Sequence, residues 1–540
     1  CFIDRVGHSF PVDRKGWVQT SALFDALDAS LGVLDNGFIL LEGEPGSGKS
    51  TALTMYLSER PGILFGYYCF IPNDQSLGNE RLGDDAFVRS ICIGLKNAFP
   101  RIEFPNLYAP YTIQLLNEWL HALSAAKERV VFVVDGLDHV DRKSRQSLIA
   151  KPLTTVLDGE PPTHVLIVLS SRYPEAIPPS IQRHVHEDPR RYVRMPVFNQ
   201  VQVREFLRLR GVGLSDELVD EVATASGGIP IYLEYLAERL GEMHHYEQEQ
   251  YLKSVPLLRD RRIDAYHQHL WERFSGNDQI VYILAFLAAR DEFTPPEALR
   301  ELLKLVGVTT SLKAVHAALA DIRHVLRVSD AQSFAIRHSS LADFVTERTR
   351  DLHGEITRAI VDWYAQNADS DAAWRHQLRH LLHAREYAKV LGICDDSWLK
   401  RAWASHRPLN EVQQNLNFAW QAAAVSRDPV EFARIGLLKQ QVALVSQRLN
   451  FSEPRFAQLL LEMGHPNEAL RRVWDGERPQ CGPVEFAEFY LAHLASTGRP
   501  LPEHIRDAGL GNAPESGSNY QEIETWYRAK SHSGAPLEIG

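Results

Sequence analysis

The sequence predicts an α/β domain built on a parallel sheet, followed by a long and almost wholly helical region. Three observations predict this fold class. Short β-rich runs alternate with helical stretches up to about residue 190. A glycine-rich segment lies between a buried apolar run and a predicted helix. After about Asp351 the pattern is helical and poor in glycine as far as Gly509.

The bulk composition narrows the class of protein. A chain of 540 residues is too long for one hydrophobic core, so roughly three to four domains are expected. Its net charge of −11 argues against a surface that mainly binds nucleic acid. No apolar run approaches the about 20 residues that a membrane helix needs. Five scattered cysteines without a CxxC pair fit a reducing compartment, so we expect a cytoplasmic protein.

The glycine-rich segment carries the strongest signal. It follows a predicted strand, Phe38–Glu42, and precedes a predicted helix that begins at Lys49. The segment reads Gly43-Glu44-Pro45-Gly46-Ser47-Gly48-Lys49-Ser50 and fits the pattern GxxxxGK[ST] without a mismatch. Glycines let the backbone close around an anion, and the N–H groups at the helix start then face phosphates.

The side chains of this segment, called the phosphate loop below (Gly43–Ser50), predict the ligand. Lys49 supplies a mobile positive charge for the terminal phosphates, and the Ser50 hydroxyl is a natural Mg²⁺ ligand. Thr51 follows in the first helical turn. The sequence therefore predicts a site for ATP or ADP with Mg²⁺.

Two further strands end in residues suited to phosphate chemistry. Arg129–Asp135 ends in a carboxylate, and Mg²⁺ prefers oxygen ligands, so Asp135 is predicted to hold the metal. Asp138 is predicted to orient the attacking water; capping the next helix is its alternative role. Arg172 follows the strand Val165–Leu169, where it would contact a γ-phosphate or else face solvent.

Taken together, these residues resemble the STAND class of signalling P-loop ATPases, which includes NACHT and NB-ARC proteins. Val133–Asp138 ("VVDGLD") resembles the Walker B pattern of that class, and Ser170–Arg172 ("SSR") resembles its sensor arginine. Gly228-Ile229-Pro230 matches the GxP motif of its helical lid, which implies that Pro230 packs on the adenine. Arg5 matches half of a "GR" pair that lines the adenine pocket in relatives.

The resemblance continues into a winged-helix domain. Ile263–Phe274 and Phe334–Arg348 resemble the two ends of that domain. In relatives a histidine there contacts the ADP β-phosphate, which implies this role for His338; a buried structural histidine is the alternative. His139 departs from the pattern, because many relatives carry an acidic residue at this position and Asp141 is out of register. We therefore expect slow hydrolysis.

The predicted layout has four parts. They are a P-loop NTPase core at 1–190, a helical lid at 191–250, a winged-helix domain at 251–352 and a helical-repeat sensor at 353–540. Within the last part, His380–Ile393 and Leu459–Val473 each read as a helix, a tight turn and a second helix. This pattern has the shape of a tetratricopeptide-like or related helical repeat. No fixed period is present, which favours irregular helical hairpins as the alternative.

Three functions are compatible with these features. The resemblance favours a low-turnover ATPase switch that senses a protein trigger through its C-terminal helices and forms homo-oligomers. It would activate an effector placed before Cys1, and the resemblance to bacterial antiviral Avs proteins implies a phage protein as trigger. An AAA+-like motor or loader acting on DNA is the second function, although the acidic balance and Gly136 speak against it. The third is a scaffold in which nucleotide is structural.

Overall fold

The computed structural model divides the chain into two compact units. It describes residues 10, 12–14, 16–60, 65–71, 80–107, 111–139, 159–172, 177–258, 263–329, 331–449, 453–474, 479, 481–511 and 520–533. The described residues from 10 to 328 and from 332 to 363 form the first unit. Those from 364 onward, with Ser329 and Ala331, form the second unit.

A five-stranded sheet organises the first part of the first unit. Its strands are β1 (Gly37–Glu42), β2 (Phe65–Tyr68), β3 (Val130–Asp135), β4 (Val165–Ser171) and β5 (Tyr192–Arg194). They lie in the order β2-β3-β4-β1-β5, and all pairs are parallel. The predicted parallel α/β sheet is thereby confirmed, and the carboxyl ends of β1, β3 and β4 meet at one edge.

Both faces of this sheet are apolar because helices cover both. Successive residues of β3 alternate between two cores, Phe132 facing one and Val133 the other. Trp119 belongs to the first core, whereas Leu27 and Leu53 belong to the second. The covering helices are α1 (Ser21–Val33), α2 (Lys49–Glu59), α3 (Asp84–Ala98), α4 (Ile113–Ala125) and α5 (Pro179–Glu187). Near-continuous apolar runs in these strands follow from this double burial.

The predicted last strand, Arg190–Phe198, is shorter than expected, since only Tyr192–Arg194 pairs with β1. Met195 N–H still donates to Glu42 O at 2.8 Å. Pro196 has no N–H and cannot extend the ladder, which gives a physical reason for the early end.

Four helices follow the sheet: α6 (Gln200–Leu209), α7 (Asp216–Ser226), α8 (Pro230–Gly241) and α9 (His245–Ser254). A capping box of Asn199 and Gln202 starts α6, as their side chains bond each other's backbone N–H. Gly228 precedes α8 with φ +73°, and a Cβ there would lie 2.1 Å from Phe198 O. Only glycine fits this close approach of two backbones.

A second group of helices carries a small β-hairpin. The elements are α10 (Asp264–Phe274), α11 (Asp278–Arg290), α12 (Pro296–Leu305), α13 (Leu312–Asp321), β6 (Leu326–Val328), β7 (Phe334–Ile336), α14 (Ser339–Arg348) and α15 (His353–Gln366). Arg337, just after β7, bonds to Glu234 and Glu238 of α8, each at 2.9 Å. These ion pairs attach the hairpin to the helices that follow the sheet.

The second unit is almost entirely helical in its described part. Its helices are α16 (Asp371–His383), α17 (Tyr387–Ile393), α18 (Asp396–Ala404), α19 (Leu409–Ser426), α20 (Pro429–Leu449), α21 (Glu453–Glu462), α22 (Pro466–Val473), α23 (Pro483–Thr497), α24 (Glu503–Leu510) and α25 (Tyr520–Ser533). The two predicted helix–turn–helix segments coincide with α16–α17 and α21–α22. Phe486, Tyr490 and Trp526 lie in a core of this unit. Among the described helices, none is long and apolar enough to cross a membrane.

Candidate functional site

The phosphate loop lies between β1 and α2, and two of its glycines adopt the left-handed backbone conformation. Gly46 has φ +73° and Gly48 has φ +89°, values that residues other than glycine rarely adopt. Gly48 also caps α2 at its N-terminus. Ser47 N–H donates to Glu44 O at 3.1 Å, which closes the loop. The sequence therefore forms a tight, N–H-rich turn at the start of a helix.

Lys49 is buried and bends back over this turn. Its Nζ donates to Gly43 O at 2.5 Å and to Glu44 O at 3.2 Å. Burial lowers the pKa of the Lys49 ammonium to about 8, while Asp138 and Asp135 raise it. The ammonium thus lies in the field of both predicted acidic residues.

Asp135 ends β3 beside the phosphate loop and is 2% exposed. Its carboxylate accepts a hydrogen bond from the Ser170 hydroxyl. Burial raises the pKa of Asp135 above its usual value, and the neighbouring hydroxyls of Ser170 and Ser50 and the charge of Lys49 oppose this rise. The two residues predicted to hold Mg²⁺, Ser50 and Asp135, therefore lie close together.

Asp138 is bound by Arg172 through two groups. Arg172 Nε lies 2.8 Å from Asp138 Oδ2, and Arg172 N–H donates to Asp138 Oδ1 at 3.3 Å. Both side chains are largely buried, at 11% and 8% exposure. His139 Nε2 lies 3.8 Å from Asp138 Oδ2, and its ring stacks on Phe70 with centroids 4.5 Å apart. Asp138 and Arg172 thus form a buried pair with the His139 ring beside it.

Residues near the start of α14 also lie close to Arg172 and Lys49. His338 Nδ1 accepts from Ser340 N–H at 3.1 Å, so His338 caps this helix. Burial and then the charge of Arg172 lower the pKa of His338 well below its usual range, and Lys49 adds to the effect. Arg172 Nη2 donates to Ser339 Oγ at 2.8 Å. His338 therefore lies within electrostatic reach of the phosphate loop.

The start of α8 contacts the phosphate loop directly. Ile231 N–H donates to Gly46 O at 3.1 Å. A Cβ on Gly46 would lie 2.1 Å from Ile231 Cγ2, and one on Gly48 would lie 3.7 Å from Pro230 Cγ. Pro230 thus lies beside the loop.

The residues present fit a magnesium nucleotide. Ser47 Oγ is buried and has no hydrogen-bond partner among the described residues, so it can bond a phosphate oxygen. Ser50 and Asp135 offer the oxygen ligands that Mg²⁺ prefers. Lys49 offers the cation that phosphate groups need.

Sequence reasoning missed several residues of the site. Ser170 stood in the quoted "SSR" segment, and its hydroxyl binds Asp135. Ser339 lies within the segment Phe334–Arg348, but its contact with Arg172 joins residues 167 positions apart in the chain, which no local motif marks. Arg5 and Asp141 lie outside the described residues.

Comparisons with known proteins give distant structural matches. No protein-family model matches the chain, and no curated protein matches it significantly. A Walker-type ATPase of Pyrococcus abyssi is 15% identical with a TM-score of 0.33, over 63% of this chain and 99% of its own. Cdc6p from Pyrobaculum aerophilum is 14% identical with a TM-score of 0.28, over 66% of this chain and 99% of its own.

A STAND protein is also among the matching structures. The STAND protein with a tetratricopeptide repeat sensor from Pyrococcus horikoshii is 11% identical with a TM-score of 0.37. That match covers 98% of this chain and 78% of the other. All three structures share at most 15% identity with this chain, so functional conclusions are drawn below from the residues of its own site.

Proposed function

We propose that this chain is an ATP-binding and slowly hydrolysing signalling switch of the STAND type. The observation that carries the proposal is the meeting of Lys49, Asp135 and Asp138 beside a loop of phosphate-binding geometry. Phosphoryl transfer requires concentrated charge around the phosphates, and here a lysine and two acidic residues, at the end of β3 and just after it, supply this charge in one buried place.

The proposed roles follow from the contacts. The loop N–H groups, Ser47 and Lys49 bind the phosphates, and Ser50 and Asp135 hold Mg²⁺. Bound Mg²⁺ supplies charge neutralisation of the phosphate oxygens. Asp138 orients the attacking water, and Arg172 offsets negative charge on the terminal phosphate.

The finer organisation belongs to the same proposal. We assign α6–α9 to a helical lid over the nucleotide, because α8 contacts the phosphate loop. We assign residues 251–352 to a winged-helix domain, since the hairpin β6–β7 packs against α11 and α14. His338 would then report the nucleotide state from this domain. The boundaries at 190, 250 and 352 rest on the sequence.

The second unit is proposed to bind a protein trigger. Helical hairpins such as α16–α17 and α21–α22 commonly present surfaces to protein partners. Trigger binding would favour an open, oligomeric state only if that state binds the trigger more tightly. An antiviral setting, with a phage protein as trigger and an effector before Cys1, is a further part of this hypothesis and rests on the resemblance alone.

The proposal is tested by isothermal titration of the purified chain with ATP and Mg²⁺. Lys49→Ala removes a charged phosphate contact worth about 1.5–3 kcal/mol, so ATP affinity is expected to fall about ten- to a hundredfold. Lys253→Ala, a change at an exposed lysine that pairs with Glu249, is the matched control and should bind ATP like the wild type.

Other outcomes distinguish the alternatives. Unchanged ATP affinity of Lys49→Ala would contradict a nucleotide site at the loop. DNA that raises turnover in a salt-dependent manner would point to a DNA-acting ATPase instead. A protein that retains ADP and never exchanges it would favour the scaffold.

A further inference from the structure

Ser170 carries a fully buried hydroxyl at the carboxyl end of β4, the central strand of the sheet. Its main chain is held on both sides. Ser170 pairs with Leu41 of β1, and Leu169 before it pairs with Val134 of β3. The residue that follows Val134 in β3 is Asp135. Ser170 and Asp135 are therefore neighbours on adjacent strands.

The side chains of Asp135 and Ser170 lie on the same face of the sheet. Side chains alternate along a strand, so each shares a face with the residue two positions earlier. Those residues, Val133 and Val168, both belong to the core that contains Leu53 of α2. Asp135 and Ser170 therefore face the side of the sheet on which α2 packs, directly after the phosphate loop.

The Ser170 hydroxyl has two partners, and their chemistry fixes the direction of its proton. Gly136 N–H donates to Ser170 Oγ at 3.2 Å, and Ser170 Oγ donates to Asp135 Oδ1. An N–H group can only donate and a carboxylate can only accept, so the hydroxyl proton has to point to Asp135. One hydroxyl thus binds the carboxylate and the backbone of the next residue.

This hydroxyl restricts a side chain that would otherwise turn freely. The last torsion of an aspartate is broad, so the bond itself does not set the plane of the carboxylate. The backbone of Asp135 is held, because Cys69 N–H donates to Asp135 O at 2.9 Å. Gly136 turns the chain with φ +81°, and its N–H is held by Ser170. The bond from Ser170 to Oδ1 then fixes the carboxylate relative to this backbone.

We propose that Ser170 is a positioning residue for Mg²⁺, which fixes Asp135 Oδ1 and so holds this carboxylate in one orientation for the metal of a bound nucleotide. This proposal rests on the proposed function, because it assumes that a magnesium nucleotide binds at the phosphate loop. Side chains that orient a metal ligand contribute to metal affinity, since a ligand held in advance loses less freedom when the metal binds.

Isothermal titration with the non-hydrolysable analogue AMP-PNP, in Mg²⁺ and separately in EDTA, measures the part of nucleotide affinity that depends on the metal. Ser170→Ala should raise the dissociation constant in Mg²⁺ about tenfold. In EDTA the dissociation constant should stay within about twofold of the wild type, because Ser170 acts only through the metal ligand.

A second variant separates the hydrogen bond from packing. Ser170→Cys keeps a small side chain in place, but a thiol is a weak hydrogen-bond donor. It should therefore weaken binding in Mg²⁺ as Ser170→Ala does, whereas a packing role predicts wild-type affinity for Ser170→Cys. In an Asp135→Ala background, Ser170→Ala should cause no further loss of affinity.

The matched control makes the same change at another buried serine of the first unit. Ser90 is 8% exposed, and its hydroxyl donates to Ala86 O at 2.7 Å within α3. Ser90→Ala should bind AMP-PNP like the wild type, both in Mg²⁺ and in EDTA.

Three results would overturn this role of Ser170. They are wild-type affinity of Ser170→Ala in Mg²⁺, equal losses in Mg²⁺ and in EDTA, and a loss in Ser170→Ala that Ser170→Cys does not share. Failure of the proposed function gives a different result, since Lys49→Ala would then bind AMP-PNP like the wild type.

Discussion

Gly46 is the residue at which the phosphate loop meets the start of α8. Its φ is +73°, and a Cβ would lie 2.1 Å from Ile231 Cγ2. Gly46→Ala therefore combines backbone strain with overpacking. We expect the free energy of unfolding to fall by about 2–4 kcal/mol, measured by urea denaturation.

Gly276→Ala is the control for this change, because nothing lies within 4 Å of a Cβ at Gly276. It should change the free energy of unfolding by less than about 1 kcal/mol. A Gly46→Ala protein as stable as the wild type would show that the loop and α8 are not in contact in solution.

At the residue scale, sequence could predict the residues that a local motif fixes. The spacing of the phosphate loop places Lys49 at the start of α2, and the strand end places Asp135 next to it. The partners of these residues could not be predicted. Ser170 binds Asp135 and Ser339 binds Arg172 across separations that no local pattern encodes.

Two buried histidines contribute to the pH response expected of the elements around α10. His267 of α10 and His324 just before β6 are at most 2% exposed. No ring nitrogen of either has a hydrogen-bond partner among the described residues. Burial lowers the pKa of His267 to about 4 and that of His324 to about 3. Both rings are therefore neutral in the folded protein near neutral pH.

Stability should fall as the pH drops below about 6.5, where an unfolded histidine takes up a proton. The folded state excludes that proton until the pH approaches the lowered pKa values. Each histidine should thus reduce the free energy of unfolding by about 1.4 kcal/mol per pH unit in this window. Urea denaturation at pH 7.5, 6 and 5 measures the slope.

The variant His267→Leu/His324→Leu should flatten this dependence, and the exposed-site change His316→Gln should leave it unchanged. Because the variant and the wild type contain the same carboxylates, the difference between their pH slopes reports the two histidines. An equal slope in wild type and double variant would mean that neither ring is buried in solution.

At the element scale, the strands were predictable because burial on both faces gives continuous apolar runs. The predicted strands at Phe38–Glu42, Arg129–Asp135 and Val165–Leu169 differ from β1, β3 and β4 by at most two residues at an end. The residue at which β5 ends was not predicted, because the effect of Pro196 on strand pairing depends on which strand lies beside β5.

The whole molecule contains two units with separate cores, and the described residues of the nucleotide site all belong to the first. Calorimetry should therefore resolve two unfolding transitions. ATP with Mg²⁺ at a hundred times its dissociation constant should stabilise one of them by about 2.7 kcal/mol. Lys49→Ala should abolish that shift and so assign the transition to the first unit.

A change in the core of the second unit provides the complementary control. Phe489→Ala, which truncates a fully buried side chain of α23, should lower the other transition by about 3–5 kcal/mol of unfolding free energy. Nucleotide-induced shifts of equal size in both transitions would contradict this assignment.

At the scale of the whole molecule, sequence predicted a helical second unit but not a regular repeat. Its helices differ in length from 7 residues in α17 to 21 in α20. Such unequal elements leave no fixed period in the sequence, because each apolar face is matched only to its own neighbours.

The strand order of the sheet has a consequence for self-association. The outer strands, β2 and β5, have only four and three residues in the described part of the chain. Such short edge strands expose few unpaired backbone N–H and C=O groups, so strand addition between molecules is disfavoured. Any ordered polymer of this protein should therefore grow through helix and loop surfaces, and should not bind amyloid dyes.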